Sequence, residues 1–274
     1  MEATGISIFP ALFSGVSAVV AIGLPVLLLV LCIRKNRGSL QCITMGALCF
    51  LVGARILEQM LHMAVFSIAP DLAKNIPLYC LYGCLAAGVF EETARLIGFR
   101  SLCKGGRCRS PLAGFAYGVG HGGIEAIMVG GVSAAMNAVA LGQLFATQAT
   151  ADPETLAQAA ALDGLTCLVP AVERTLALAL QISLSMLMWM VVTKRLPMWG
   201  YPLAIVLHAV ADVPAVLYQT GVITNLWLCM ALILLMVLLI GAPIWLTVKK
   251  RMAAERAEAQ KITPENWNAQ NYKK

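Results

Sequence analysis

Apolar runs long enough to cross a bilayer follow one another along nearly the whole chain, at about 6–33, 41–69, 76–99, 111–147, 165–193, 199–220 and 222–248. A hydrocarbon core of about 30 Å takes roughly 20 helical residues to cross, and inside it every backbone N–H and C=O must find its partner within the structure. Helices meet that demand segment by segment. The expected fold class is therefore all-α, a polytopic transmembrane helix bundle of about seven to eight spans. The chain is 59% hydrophobic and 12% charged, against about 45–50% and 25% in soluble domains, which excludes a soluble globular enzyme. The first run is too long for a signal-peptide core and lacks a basic start, so it counts as a span. Residues 1–248 then form one transmembrane domain, and 249–274 a polar tail.

The net charge of +6 would suit nucleic acid, but the lysines and arginines sit in short gaps between apolar runs and in the tail. Gaps rich in Lys and Arg (34–39, 100–110, 194–195 and the tail) alternate with poor ones (70–75, 148–164 and near 220). No nucleic-acid partner is expected. The positive-inside rule turns the alternation into a topology of seven spans, with the N-terminus outside and the C-terminus cytoplasmic, in the cell membrane. Asp152-Pro153-Glu154 reads as the N-cap and first turn of a short helix ending near Leu162, outside the membrane.

Against this apolar background the charged groups inside the spans stand out. Each costs at least roughly 2.5–3.5 kcal/mol near a bilayer centre, so they are expected to face the bundle interior, to pair and to serve a function. Glu91, Glu92 and Arg95 lie within five positions of one another in the third run. At 1.5 Å per residue the glutamates fall roughly 12–14 Å from the cytoplasmic edge, His121 and His208 at roughly 15 Å, and Glu125 and Asp212 at roughly 21 Å. Glu91 and Arg95, His121 and Glu125, and His208 and Asp212 are each four apart and share a helix face. The bland reading is a set of register-fixing salt bridges.

Other polar groups have simpler explanations. Arg55, Glu58 and His62 have helical spacing and are expected to neutralise one another. Glu173 and Arg174 lie near the outer end of the fifth run and are expected at an interface or as a pair, outside the site. Gly114, Gly118 and Gly122 recur every fourth residue, which lets a neighbouring helix approach closely, and glycines around His121 leave room for a substrate backbone or a local opening of the helix. Gly118, Gly120 and Gly123 fit a dinucleotide pattern, rejected because no strand precedes it. The nine cysteines form no regular framework and read as buried thiols; Cys103 and Cys108 alone are too few for a zinc site. Trp267 and Tyr272 in the tail are expected to be solvated.

Three motifs in order, Glu91-Glu92-Thr-Ala-Arg95, Gly120-His-Gly-Gly-Ile-Glu125 and His208-Ala-Val-Ala-Asp212, resemble those of the PrsW and CAAX-protease superfamily of intramembrane proteases, in particular its YhfC branch. The resemblance covers about residues 76–220. Two residues separate Glu92 from Arg95 where the CAAX type has three, and Asp212 stands where the CAAX type has Asn; both features are closer to PrsW. Either His121 or Glu125 can fill the role of the second motif. The resemblance implies an intramembrane endopeptidase acting on membrane protein or peptide substrates in the lipid bilayer, and it does not extend to prenylated ones.

Peptide hydrolysis needs an activated water, a stabilised oxyanion and a proton for the leaving amine. Glu91 is the candidate base for water, and Glu92 the partner of Arg95, although both carboxylates reach that guanidinium. His121 and His208 would hydrogen-bond the water or oxyanion, with Glu125 and Asp212 orienting the imidazoles. The resemblance points to this glutamic-type mechanism, for which no cofactor is expected. In the alternative zinc-dependent version His121, His208, Glu91 and Asp212 are the candidate ligands, although a helical HExxH is absent. A transporter and a non-proteolytic scaffold are further alternatives.

Overall fold

The computed structural model describes residues 6–104 and 108–260, and among them all regular structure is helical. Trp267 and Tyr272 of the tail lie outside the described residues. α1 covers Phe9–Lys35; α2, Ser39–Val52, passes through a π-helical turn at Gly53–Glu58 into α3, Gln59–Ile68. α4 is Ile76–Leu102. α5, Pro111–Glu125, continues through a second π-helical turn at Ala126–Gly131 into α6, Val132–Thr147. The short α7, Pro153–Ala160, precedes α8, Val169–Val192, α9, Gly200–Gln219, and α10, Leu226–Gln260. The last helix continues from the apolar run into the basic segment without a break at residue 249.

Among the described residues six helical stretches are long and apolar enough to cross a membrane: Phe9–Lys35, Ser39–Ile68, Pro111–Thr147, Gly164–Val192, Gly200–Gln219 and Leu226–Gln260. The chain is a multi-pass membrane protein. The seventh expected span, α4, is as long as α1, at 27 residues, and packs against α2, α8 and α9. It is not among the six, and it is the helix that carries Glu91, Glu92 and Arg95.

Local sequence sets the helix starts. The Asn75 side chain accepts from Leu78 N (3.2 Å) ahead of α4, Ser110 Oγ from Leu112 N (3.2 Å) ahead of α5, and Asp152 Oδ2 from Thr155 N (2.9 Å) ahead of α7. Each is followed by proline in the first turn, where a missing N–H costs nothing.

Packing centres on α8, which is buried on every side from Leu180 to Val191. A helix apolar all round belongs in the middle of a bundle. Three glycines let α5 lie close against it. A Cβ at Gly114, Gly118 or Gly122 would come within 2.8 Å of Trp189 Cβ, 2.6 Å of Ile182 Cα and 2.7 Å of Gln181 Cβ. On the other side of α5, a Cβ at Gly120 would overlap the Ile43 carbonyl oxygen of α2, and one at Gly46 the Tyr117 carbonyl oxygen. The every-fourth glycine pattern is thus a packing face, and α5 is clamped between α2 and α8 with His121 inside.

Candidate active site

Close packing brings α4, α5, α8 and α9 to one buried polar centre. Glu91 is 7% exposed, His208 2%, and Glu92, Arg95 and His121 0%. Five such groups persist away from water only when paired. His121 Nε2 lies 2.8 Å from Glu91 Oε2, and His208 Nδ1 2.9 Å from Glu92 Oε1. Arg95 Nε lies 3.2 Å from Glu92 Oε2, close enough for an ion pair but without hydrogen-bond alignment, since neither atom has a hydrogen-bond partner.

A carboxylate accepts, so His208 carries a proton on Nδ1. Its Nε2 faces Glu91 Oε2 at 3.9 Å and Asp212 Oδ2 at 3.7 Å. Two carboxylate oxygens at this spacing are balanced either by a second proton on Nε2, which makes the ring an imidazolium, or by a metal cation held by the Nε2 of a neutral ring. Glu91, His121 and Glu125 each offer a ligand atom, all within 4.8 Å of one another. Glu91, His121 and Glu125 are thus placed to hold a metal ion, Glu125 being an addition to the set expected from sequence, while His208 Nε2 lies 3.9 Å from Glu91 and 3.7 Å from Asp212 beside them.

Gln181 is the group that sequence reasoning missed. Its Nε2 donates to Glu91 Oε2 (3.1 Å) and Glu125 Oε2 (2.8 Å), and its Oε1 accepts from Arg95 Nη2. Arg95 Nη1 donates to Gln181 O (2.8 Å) and Ser185 Oγ (2.6 Å). Arg174, Gln181 and Ser185 are seven and four apart, which is one face of a helix, and that spacing was the available signal.

Several expectations are corrected. Glu125 is held by Gln181 and by Arg174 Nη1 at 3.2 Å rather than against His121. The carboxylate that orients His208 is Glu92, because Asp212 is beyond hydrogen-bond distance. Arg174, 9% exposed, pairs with Glu173 as expected, but both line the cavity of the site instead of lying apart from it. Arg55 is exposed, and Glu58 pairs with His62 (3.2 Å), whose Nδ1 meets Tyr82 Oη at 2.7 Å.

The two π-helical turns were invisible in the sequence. Glu58 ends the first and Glu125 immediately precedes the second. Such turns shift the facing of a helix by part of a residue and recur at functional sites. A cavity of about 220 Å³ opens among Glu91, Glu125, Arg174, Gln181, His208 and Asp212. A wider crevice of about 690 Å³, lined by His62, Phe66, Tyr79 and Tyr82, shares with it the wall of Asp212, Ala215 and Gln219.

A multi-pass helical membrane protein with histidines and carboxylates converging in its interior is the class that fold and site define. A sequence model described as YhfC intramembrane metalloprotease matches residues 19–234. The "uncharacterized membrane protein YhfC" of Bacillus subtilis (strain 168) is 36% identical over 226 residues, covering 78% of this chain and 86% of the relative. The chain belongs to the YhfC family of intramembrane metalloproteases. No solved structure matches it.

Proposed function

We propose that this chain is a zinc-dependent intramembrane endopeptidase that cleaves membrane-associated proteins, with His121, His208 and Glu91 as the metal ligands. The observation that carries this reading is the convergence of Glu91, His121 and Glu125, whose ligand atoms lie within 4.8 Å of one another, with His208 Nε2 facing Glu91 and Asp212 oxygens 3.9 and 3.7 Å away. The donor set suits zinc, which takes imidazole and carboxylate ligands and keeps an open position when catalytic. A carboxylate behind one imidazole, here Glu92 behind His208, is the usual support of such a ligand. Among the described residues Glu91, Glu92, Glu125, Glu173 and Asp212 meet two arginines, Arg95 and Arg174, and the two histidines His121 and His208, so a dication at the site offsets an excess of carboxylates when the histidines are neutral.

When bound, zinc supplies Lewis acidity and an acidified water. Glu125, kept toward Glu91 by Gln181 and Arg174, is the base that takes the proton of the attacking water and returns it to the leaving amine. Asp212, whose side chain is 35% exposed, lines both cavities and accepts a hydrogen bond from the substrate backbone as it passes from the crevice. Arg95 and Glu92 do not line the cavity; they position Glu91 and His208. The alternation of Lys and Arg between the gaps supports a topology with the basic end of the bundle in the cytoplasm.

A second, metal-free reading keeps Glu91 as the base, and the His121 Nε2 contact at 2.8 Å from Glu91 favours it. One experiment separates the two. Purified protein is assayed for zinc, and new protein N-termini are compared in membranes holding the unsubstituted chain, His208→Ala or Glu91→Gln. The zinc reading expects about one zinc per chain, lost in His208→Ala, and intramembrane cleavage that disappears with both variants and with chelation. Cleavage without metal sinks it in favour of the glutamic mechanism, and the same N-termini with all three folded proteins sink both.

A further inference from the structure

Glu58 is a buried carboxylate, 7% exposed, that the chemistry above does not use. Its Oε1 lies 3.2 Å from His62 Nε2, and His62 Nδ1 lies 2.7 Å from Tyr82 Oη, so a buried acid stands behind a tyrosine through one imidazole. The π-helical turn that ends at Glu58 is close to α4, where a Cβ at Gly53 would stand 2.9 Å from Ala94 Cβ. Beyond that turn no residue of α3 is buried, and α3 meets α4 through rings. The centroids of His62 and Tyr82 are 5.4 Å apart, those of Phe66 and Tyr82 6.2 Å, and those of Phe66 and Tyr79 6.3 Å.

These contacts would be plain helix pairing if they filled the space between the helices. They do not. The crevice that His62, Phe66, Tyr79 and Tyr82 line measures about 690 Å³, a size typical of ligand clefts. A Cβ at Gly83, on the same wall, would meet nothing within 4 Å. Asp212, Ala215 and Gln219 belong both to this wall and to that of the active-site cavity, so a chain lying at Glu91 continues into the crevice. Tyr82 precedes Glu91 by nine residues on α4, or about 13–14 Å of helix axis, which about four extended residues span.

On the reading that this site cleaves membrane-associated proteins, we propose that the crevice is a subsite for an aromatic side chain of the substrate, about four residues from the scissile bond. Phe66, Tyr79 and Tyr82 select it, and His62 and Glu58 are positioning residues that fix the Tyr82 ring. Lipid tails solvate an aliphatic side chain as well as a protein pocket does, so apolarity alone selects nothing inside a bilayer. Ring against ring does, through edge and offset contacts at centroid separations of about 4.5–7 Å, and the Met63 thioether on the same wall adds a partner of the same preference. The depth agrees. Tyr79 and Tyr82 lie near the start of α4, at the end away from Arg100, where membrane-spanning segments carry their own Trp and Tyr at the lipid–water boundary. The substrate class is thus a membrane-spanning segment cut a short way inward from its boundary aromatic residue.

The test uses the full-length Glu91→Gln protein, inactive in either mechanism, in mixed micelles. It is titrated by fluorescence anisotropy with two labelled transmembrane peptides that differ only in carrying Phe or Leu at that spacing on each side of a central Gly-Gly break. The Phe peptide is expected to bind about three- to tenfold more tightly. Phe66→Leu/Tyr79→Leu, which keeps bulk and removes the rings, is expected to abolish the preference. His62→Leu and Glu58→Leu are expected to lower the Phe-to-Leu ratio, and the double variant no further, because they act through one tyrosine; a general loss of structure would weaken both peptides alike. Equal binding of the two peptides to the folded protein, no binding of either, or a preference that survives Phe66→Leu/Tyr79→Leu overturns the proposal. Cleavage by the unsubstituted chain keeps the two readings apart. Aromatic preference in binding with neither peptide cut leaves the subsite and counts against the protease, whereas both peptides bound and cut equally leaves the protease and removes the subsite.

Discussion

His208 Nδ1 lies 2.9 Å from Glu92 Oε1, and this contact decides which nitrogen of the imidazole faces the cavity. Glu92 is fully buried and is itself held by Arg95. Two adjacent glutamates on one helix therefore have different tasks: Glu91 faces the cavity, and Glu92 faces the back of the histidine.

Glu92→Gln keeps the size of the side chain but offers His208 a weaker and ambiguous partner. Loss of such a supporting carboxylate costs about 10–100-fold in metal affinity or activity. We expect that loss in zinc affinity, measured by competition with a chromophoric chelator, while the protein stays folded. An unchanged affinity would mean that His208 is not a ligand.

Gln181→Leu removes the amide that joins Glu91, Glu125 and Arg95. A buried polar group left without its partner costs about 1–3 kcal/mol, and more where the group is charged. The expected result is destabilisation of at least that size in reversible unfolding in mixed micelles, with turnover reduced as well. Full stability would show that Ser185 and the Gln181 carbonyl alone suffice for Arg95.

Much of this was legible in the chain, for physical reasons. The apolar runs gave the helices because a bilayer core permits almost nothing else, and His121, His208, Glu91 and Glu92 were conspicuous because charge is rare there. Pairings were not legible. The i,i+4 rule linked His208 to Asp212 and His121 to Glu125, whereas their hydrogen-bond partners are Glu92 and Glu91 on another helix. Tertiary approach decided this, and it depended on glycine contacts and two π-helical turns that leave no periodic trace. Gln181 was hidden because a single amide in an apolar run has no charge to mark it.

The glycines make a test of opposite signs. Alanine at Gly120 would place its Cβ against the Ile43 backbone of α2, which cannot rotate away; overpacking of this kind costs about 1–3 kcal/mol. Alanine at Gly83, in α4, meets nothing within 4 Å, and the gain in helix propensity is up to about 1 kcal/mol. Unfolding in the same micelles should show Gly120→Ala destabilised and Gly83→Ala at least as stable as the unsubstituted protein. Equal stability of all three would remove the clamp on α5 from the account of the site.

Arg174 separates a structural role from a chemical one. It binds Glu125 at 3.2 Å and also Glu173, and unlike Arg95 it lines the cavity. Removing one partner of a buried ion pair strands the other and costs about 3–5 kcal/mol. Arg174→Met alone should therefore unfold much more easily than the unsubstituted chain, because it leaves two carboxylates facing each other. Adding Glu125→Gln removes one of those charges, so Arg174→Met/Glu125→Gln should recover a large part of the stability. If Glu125 is the base, that recovered protein stays inactive while still binding zinc through His121, His208 and Glu91. If activity returns along with stability, Glu125 serves only to balance Arg174, and the base must be sought at Glu91 or Asp212.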